Sequence, residues 1–217
     1  MRRFIISFFF FCFSFYSFAL TFDILAGLSY KNTAIKGKTV SDNVSMDYGA
    51  SFNSVGLNLG LDLLFNSCIG IYTRLGLYDV QDSARSVTGN SKDLKSASGN
   101  YSMTYDLGLA LNFALAKHFF ICVSPSVSMN YIDYKNYEFN LWGENYAVID
   151  NALCYGFSAD IYLKYRYKHF VCALGCSGSM LPFCLVTSED TAIDYSFSIN
   201  DATGYNIRPY IAAGLSL

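Results

Sequence analysis

Charge is scarce in this chain. Of 217 residues only 15% are Asp, Glu, Lys or Arg, against roughly 25% in ordinary soluble domains. Glutamate occurs three times, at Glu138, Glu144 and Glu189. That argues against a soluble surface, which relies on Lys and Glu. No basic stripe is present, so nucleic acid is excluded as a partner. Beyond the first nineteen residues no stretch reaches the about 20 apolar residues that a membrane-spanning helix needs. The two histidines, His118 and His169, stand apart from any Cys-x-x-Cys pair, so no zinc site is expected. There is no Gly-x-Ser-x-Gly elbow and no phosphate loop. The reading is of a protein that is not an enzyme, with no cofactor and no metal.

The beginning of the chain has its own logic. Arg2 and Arg3 form a positive segment, Phe4 to Phe13 an apolar one, and Ser17-Phe18-Ala19 a small-x-small motif. This layout is that of a cleaved signal peptide, residues 1–19. Cys12 lies inside the apolar run rather than after it, which speaks against a lipoprotein. Of the 15 basic residues, removal of Arg2 and Arg3 leaves 13 against 17 acidic ones, a charge of −4.

What the remaining chain does have is alternation. In Val55-Gly56-Leu57-Asn58-Leu59-Gly60-Leu61-Asp62-Leu63 every odd position is apolar and every even one is glycine or polar. Period-two alternation puts one face of a strand in an apolar medium and the other elsewhere. The same pattern recurs in eight runs: about Phe22 to Tyr30, up to Phe65, Ile69 to Leu77, Met103 to Phe113, Phe119 to Tyr131, Leu153 to Tyr165, His169 to Ser179, and a last run ending at Leu217. Short turns are read at Asn66-Ser67, Ala116-Lys117-His118 and Arg166-Tyr167-Lys168. Long polar loops are read at Lys31–Asp47, Asp79–Asn100, Asp133–Asp150 and Met180–Thr203. Strict alternation of long and short connections, with an even strand count, predicts an all-β, eight-stranded antiparallel up-and-down transmembrane barrel over residues 20–217. An open sheet edge cannot face lipid, so the sheet must close.

The alternation sorts side chains into two sets. Leu57, Leu59, Leu61, Leu107, Leu109 and Leu111 are expected to face lipid. Asp23, Asp62, Arg74, Asp106, Asp160, Lys164 and Arg208 fall on the opposite face, toward the lumen. An eight-stranded interior is wide enough only for side chains or one small ligand. The lumen charges therefore read either as an ion-pair plug or as the lining of a narrow path. Phe65, Phe119, Tyr131, Tyr165, Phe170 and Tyr205 sit where interfacial girdles are expected. Lys117-His118-Phe119-Phe120-Ile121-Cys122 and Lys168-His169-Phe170-Val171-Cys172 resemble each other as repeated hairpin chemistry. Folding the hairpins about their turns places Cys154 near Met180 and Cys172 near Tyr162, so the six cysteines after Cys12 read as isolated wall residues. Cys176 with Cys184 is the pair most worth testing. Pro125 and Pro209 fall in strands, where each removes a ladder bond.

The eight-strand meander, signal segment and closing strand resemble the small OmpW, OmpX and OmpA-type outer-membrane barrels. The Tyr- and Ser-rich, cysteine-tolerant style is most similar to the eight-stranded outer-membrane proteins of treponemes. The resemblance implies a monomer in the bacterial outer membrane, in contact with its lipid. The expected role is limited permeation of small or apolar solutes with surface presentation. The alternative is a closed structural or adhesive barrel whose loops bind host or extracellular ligands.

Overall fold

A computed structural model describes residues 20–41, 44–65, 68–87, 90–95, 100–139, 145–190 and 195–217. Residues 1–19, which the sequence reads as a signal segment, the expected turn at Asn66-Ser67 and Asn140 lie outside these residues. The strands are β1 (Thr21–Ser41), β2 (Val44–Leu64), β3 (Ile69–Val87), β4 (Asn90–Lys95), β5 (Tyr101–Ala116), β6 (Phe119–Phe139), β7 (Asn145–Tyr167), β8 (Phe170–Asp190) and β9 (Tyr195–Ser216). All pairings are antiparallel and run β2-β1-β9-β8-β7-β6-β5-β3, with β2–β3 closing the ring. The short β4 pairs with the upper part of β3, where β5 pairs with its lower part. Eight staves result. Phe22 and Leu217 exchange backbone bonds of 3.0 and 2.9 Å across the seam.

The strands are about twice as long as expected, and this is the main correction to the sequence reading. The four polar stretches read as loops are largely strand: β1 and β2 pair in unbroken register from Thr21↔Leu64 to Ser41↔Val44. A 21-residue strand spans roughly 70 Å along its axis at about 3.3 Å per residue, far more than a tilted membrane crossing of about 10 residues. The reason is a change of phase. In the lower half, apolar residues point out, as at Leu28, Leu57, Leu77, Leu107, Ile161 and Ile211. In the upper half the same strands turn most of their apolar residues inward, while Phe183 and Leu185 of β8 stay exposed. Ile35, Tyr48, Phe52, Val80, Ile132, Tyr134, Val186 and Ile199 form a buried cluster there. Lys36, Lys38, Asp47, Asp82, Lys135, Asp201 and Thr203 are exposed outside. The upper half is built like a soluble barrel, the lower half like a membrane one.

Aromatic rings mark the borders of the outward apolar belt. Phe65, Phe119 and Phe170 are exposed near the short turns, and Tyr30, Tyr101 and Tyr205 near the change of phase. Tyr101 stacks on Tyr131 (5.8 Å), and Phe119 on Tyr165 (4.9 Å). His118 lies edge-on to Tyr167, 5.3 Å between ring centres. Lys168 turns the β7–β8 hairpin with φ at 53°.

Each proline sits where a ladder gives way. The β5–β6 register skips from Gly108↔Ser126 to Leu111↔Val123 around Pro125. The β1–β9 register skips from Ser29↔Tyr210 to Asn32↔Ile207 around Pro209. Pro182 lies in a bulge of β8 toward both neighbours. A proline nitrogen cannot donate, so these are the positions at which its presence costs least.

The bulge and the extra length of β8 correct the cysteine reading. Cys154 faces Cys184 in register, and the two are joined by a disulfide with Cα atoms 4.0 Å apart. Cys172 opposes Tyr165 rather than Tyr162. Cys176 is free and exposed, so it is not the partner of Cys184. A reading that ended the strand at Ser179 could not bring residue 184 back beside residue 154.

Close backbone approach explains one glycine in particular. A Cβ on Gly214 would lie 1.7 Å from the Ile24 carbonyl oxygen on β1, whereas one on Gly178 would meet nothing within 4 Å. Gly214→Ala is expected to destabilise by about 1–3 kcal/mol, the range for overpacking. Gly178→Ala is expected to stay within about 0.5 kcal/mol of wild type. Urea titration of folding into lipid vesicles measures both.

Candidate functional site: the charged interior

Inside the lower half the barrel holds charged side chains beside a buried cluster that includes Leu25, Leu64, Cys122 and Val171. Asp23, Asp62, Asp106, Asp160, Arg74, Lys164 and Arg208 are all buried. On the outer wall Leu57, Leu59, Leu61, Leu107 and Leu109 are exposed, and Leu111 is half-buried.

The charges meet in three groups. Nearest the short turns, Asp23 and Asp62 are direct ladder neighbours on β1 and β2. Two carboxylates side by side repel, and Lys164 of β7 answers both, reaching Asp23 at 2.9 Å and also bonding Asp62. Arg166 bonds Asp23 as well, and the Tyr162 hydroxyl donates to Asp62 at 2.7 Å.

The second group is centred on Asp160. Arg74 of β3 lies 2.7 Å from its Oδ2. The Tyr72 hydroxyl donates to it at 2.8 Å and the Tyr210 hydroxyl at 3.0 Å. Arg74 makes this contact as an ion pair lying over rings rather than through aligned N–H bonds. Its guanidinium sits 4.0 Å from the Tyr210 ring centre, with the Tyr72 and Tyr162 rings at 5.3 and 5.5 Å. Stacking of this kind suits a planar, weakly hydrated cation. Gly60, the β2 neighbour of Arg74, makes the room: a Cβ there would lie 3.3 Å from the guanidinium.

The third group pairs Arg208 with Asp106 at 2.8 Å. Arg208 also donates to Ser177 at 2.7 Å and Ser179 at 3.1 Å. Arg74 is the ladder neighbour of Asp106, yet it crosses the lumen to Asp160. The pairs therefore tie opposite staves of the barrel together.

Sequence reasoning assigned the seven charged side chains to the inner face but missed two more cations. The sequence pattern puts Arg166 in a turn and Lys31 at the start of a loop. Lys31 is fully buried and bonds Ser102 and Asn130. Continued alternation past Tyr30 (Lys31, Thr33 and Ile35 inward) was the signal that could have placed it. Above the charges, the buried apolar cluster that holds the Cys154–Cys184 disulfide fills the upper interior. There burial raises the Tyr134 phenol above its ordinary pKa.

No family model matches the sequence, and neither does any curated protein. Solved structures do match its fold. OprG from Pseudomonas aeruginosa superimposes with a TM-score of 0.62 at 11% identity, covering 92% of this chain and 97% of that one. Ail of Yersinia pestis, solved with the heparin analogue sucrose octasulfate, gives 0.45 at 12% identity over 91% and 99% of the two chains. The protease OmpT of Escherichia coli gives 0.47 at 12% identity over 94% and 98%. The closed ring of eight antiparallel staves, the outward apolar belt and the likeness to OprG agree: this chain has the fold of the small bacterial outer-membrane β-barrels.

Proposed function

We propose that the protein is a monomeric outer-membrane barrel that works at its rim: a closed body that raises a rigid collar above the membrane and presents it to an extracellular ligand. Residues 1–19 serve as the export signal, and Leu57, Leu59, Leu61, Leu107, Leu109 and Leu111 meet lipid. The observation that carries this reading is the filled interior. The lumen charges of the lower half are paired across it, and Ile35, Phe52, Val80, Ile132, Tyr134 and Leu181 are buried above them. Packing of this kind among the described residues supports a barrel closed to water and ions. The style of the chain further resembles treponemal barrels. No catalytic role is proposed: His118 and His169 lie at the short turns, at the opposite end from the collar.

A second reading, passage of small apolar solutes, has one observation in its favour. The collar interior is apolar, and the wall beside it is irregular at the Pro182 bulge of β8. A solute entering from above would leave sideways into lipid there, without crossing the plug.

Orientation tests the first reading. Single cysteines at Asp93 and Asp190, in a background lacking the native cysteines, should react with an impermeant maleimide on intact cells. One at Lys117 should not. Labelling at Lys117 with protection of Asp93 and Asp190 would place the collar in the periplasm and end the proposal.

A further inference from the structure

We propose that the short-turn end of the barrel docks on the headgroups of anionic phospholipid, with Lys117 and Lys168 as its two phosphate contacts. Exposed side chains at this end carry charge of one sign. No Asp or Glu stands between Asp62 and Asp79, between Asp106 and Asp133, or between Asp160 and Glu189, the three spans that hold the short turns. The acids nearest those turns, Asp23 and Asp62, are fully buried and bound to Lys164 and Arg166. Lys117 and Lys168 are exposed, and the chain supplies no acidic side chain to answer them. The far end of the barrel differs. Lys36, Lys38 and Lys135 are exposed there among Asp47, Asp82 and Asp201, and Lys38 pairs with Asp47 at 3.2 Å.

The geometry of the two turns is a second, independent observation. Lys117 and Lys168 stand on neighbouring hairpins, because β6 and β7 pair directly, with Phe119 opposite Tyr165. One rung further down, the Arg166 amide donates to the His118 carbonyl at 2.9 Å. Tyr167 fills the space between the turns: His118 lies edge-on to its ring at 5.3 Å, and the Lys168 ammonium lies 5.6 Å from the ring centre. The two hairpins are two strand spacings apart, about 10 Å, which matches two adjacent headgroups. Phe119 and Phe170, exposed where the next strands begin, set this level at the border of the apolar belt, where headgroups start. Basic side chains at that level are drawn to anionic lipid. Arg166 is held by Asp23, so the two lysines carry the contact.

The sign of the effect separates this docking from general electrostatics. From residue 20 onward 13 basic residues stand against 17 acidic ones, a charge of −4. The molecule as a whole is therefore repelled by an anionic membrane, whereas docking through this end favours one. The test uses the refolded barrel in phosphatidylcholine vesicles containing increasing phosphatidylglycerol. At low salt the urea midpoint of the wild type should rise with the phosphatidylglycerol fraction, and high salt should flatten that rise. The pair Lys117→Gln and Lys168→Gln should lose the rise, and the pair Lys117→Arg and Lys168→Arg should keep it. The pair Lys36→Gln and Lys38→Gln, at the far end, should also keep it. Each variant is read by its response to phosphatidylglycerol, so a lower midpoint in pure phosphatidylcholine leaves the comparison intact. A flat or falling midpoint in the wild type, or an equal rise in the Lys117→Gln and Lys168→Gln pair, would overturn the docking.

Discussion

Arg74→Ala is expected to cost about 3–5 kcal/mol, the loss typical when one partner of a buried pair is removed. Asp160 would keep the hydroxyls of Tyr72 and Tyr210 but lose the cation that balances it, in an interior with little water to replace that cation. The three rings around the guanidinium would also face a cavity. Two further variants separate these causes. Asp160→Asn in the Arg74→Ala background removes the stranded charge and should recover a substantial part of the loss. Arg74→Lys keeps the charge but gives up the planar stacking over Tyr210, and should fall between wild type and Arg74→Ala. Urea titrations of folding into lipid vesicles give all three values. Equal stability of Arg74→Ala and wild type would mean that Arg74 and Asp160 are hydrated in solution and not a plug.

Leu59→Arg is expected to cost about 2–4 kcal/mol, the penalty for an arginine on the lipid face near the bilayer midplane. Leu59 is exposed in the middle of the outward run from Val55 to Leu63, so on the proposed reading the new charge would meet lipid. Thr203→Arg supplies the control. It faces out on β9 two residues above Tyr205, past the border of the apolar belt, and should change stability by less than about 0.5 kcal/mol. Equal losses in the same vesicle titration would mean that the apolar belt does not end at Tyr30, Tyr101 and Tyr205.

The lower half was legible in the sequence because its code is simple. Leucine on one face and Gly, Asn or Asp on the other, as in Val55 to Leu63, admits few readings besides a lipid-facing strand. That pattern separates the seven charged residues, which are buried, from Leu57, Leu59, Leu61, Leu107 and Leu109, which are exposed, without any knowledge of contacts. It does not give partners. Arg74 and Asp106 are ladder neighbours, yet each pairs across the lumen, because cross-barrel reach depends on shear and side-chain length, which no single strand encodes.

The upper half was misread for a physical reason as well. Between Lys31 and Asp47 the alternation persists but its solvent changes: Ile35 points in, while Lys36 and Lys38 point out. A reader tuned to lipid outside sees polar residues there and infers a loop. The same misreading hid Lys31 and ended β8 before Cys184, so the Cys154–Cys184 bond was lost with it.

Single-channel recording of the refolded wild-type protein in planar bilayers tests closure of the interior most directly. With the charges paired and the collar packed, the bilayer current should stay at the protein-free baseline at either polarity, with protein incorporation verified separately. A large, steady, ion-selective conductance would contradict the plug and make the protein a pore.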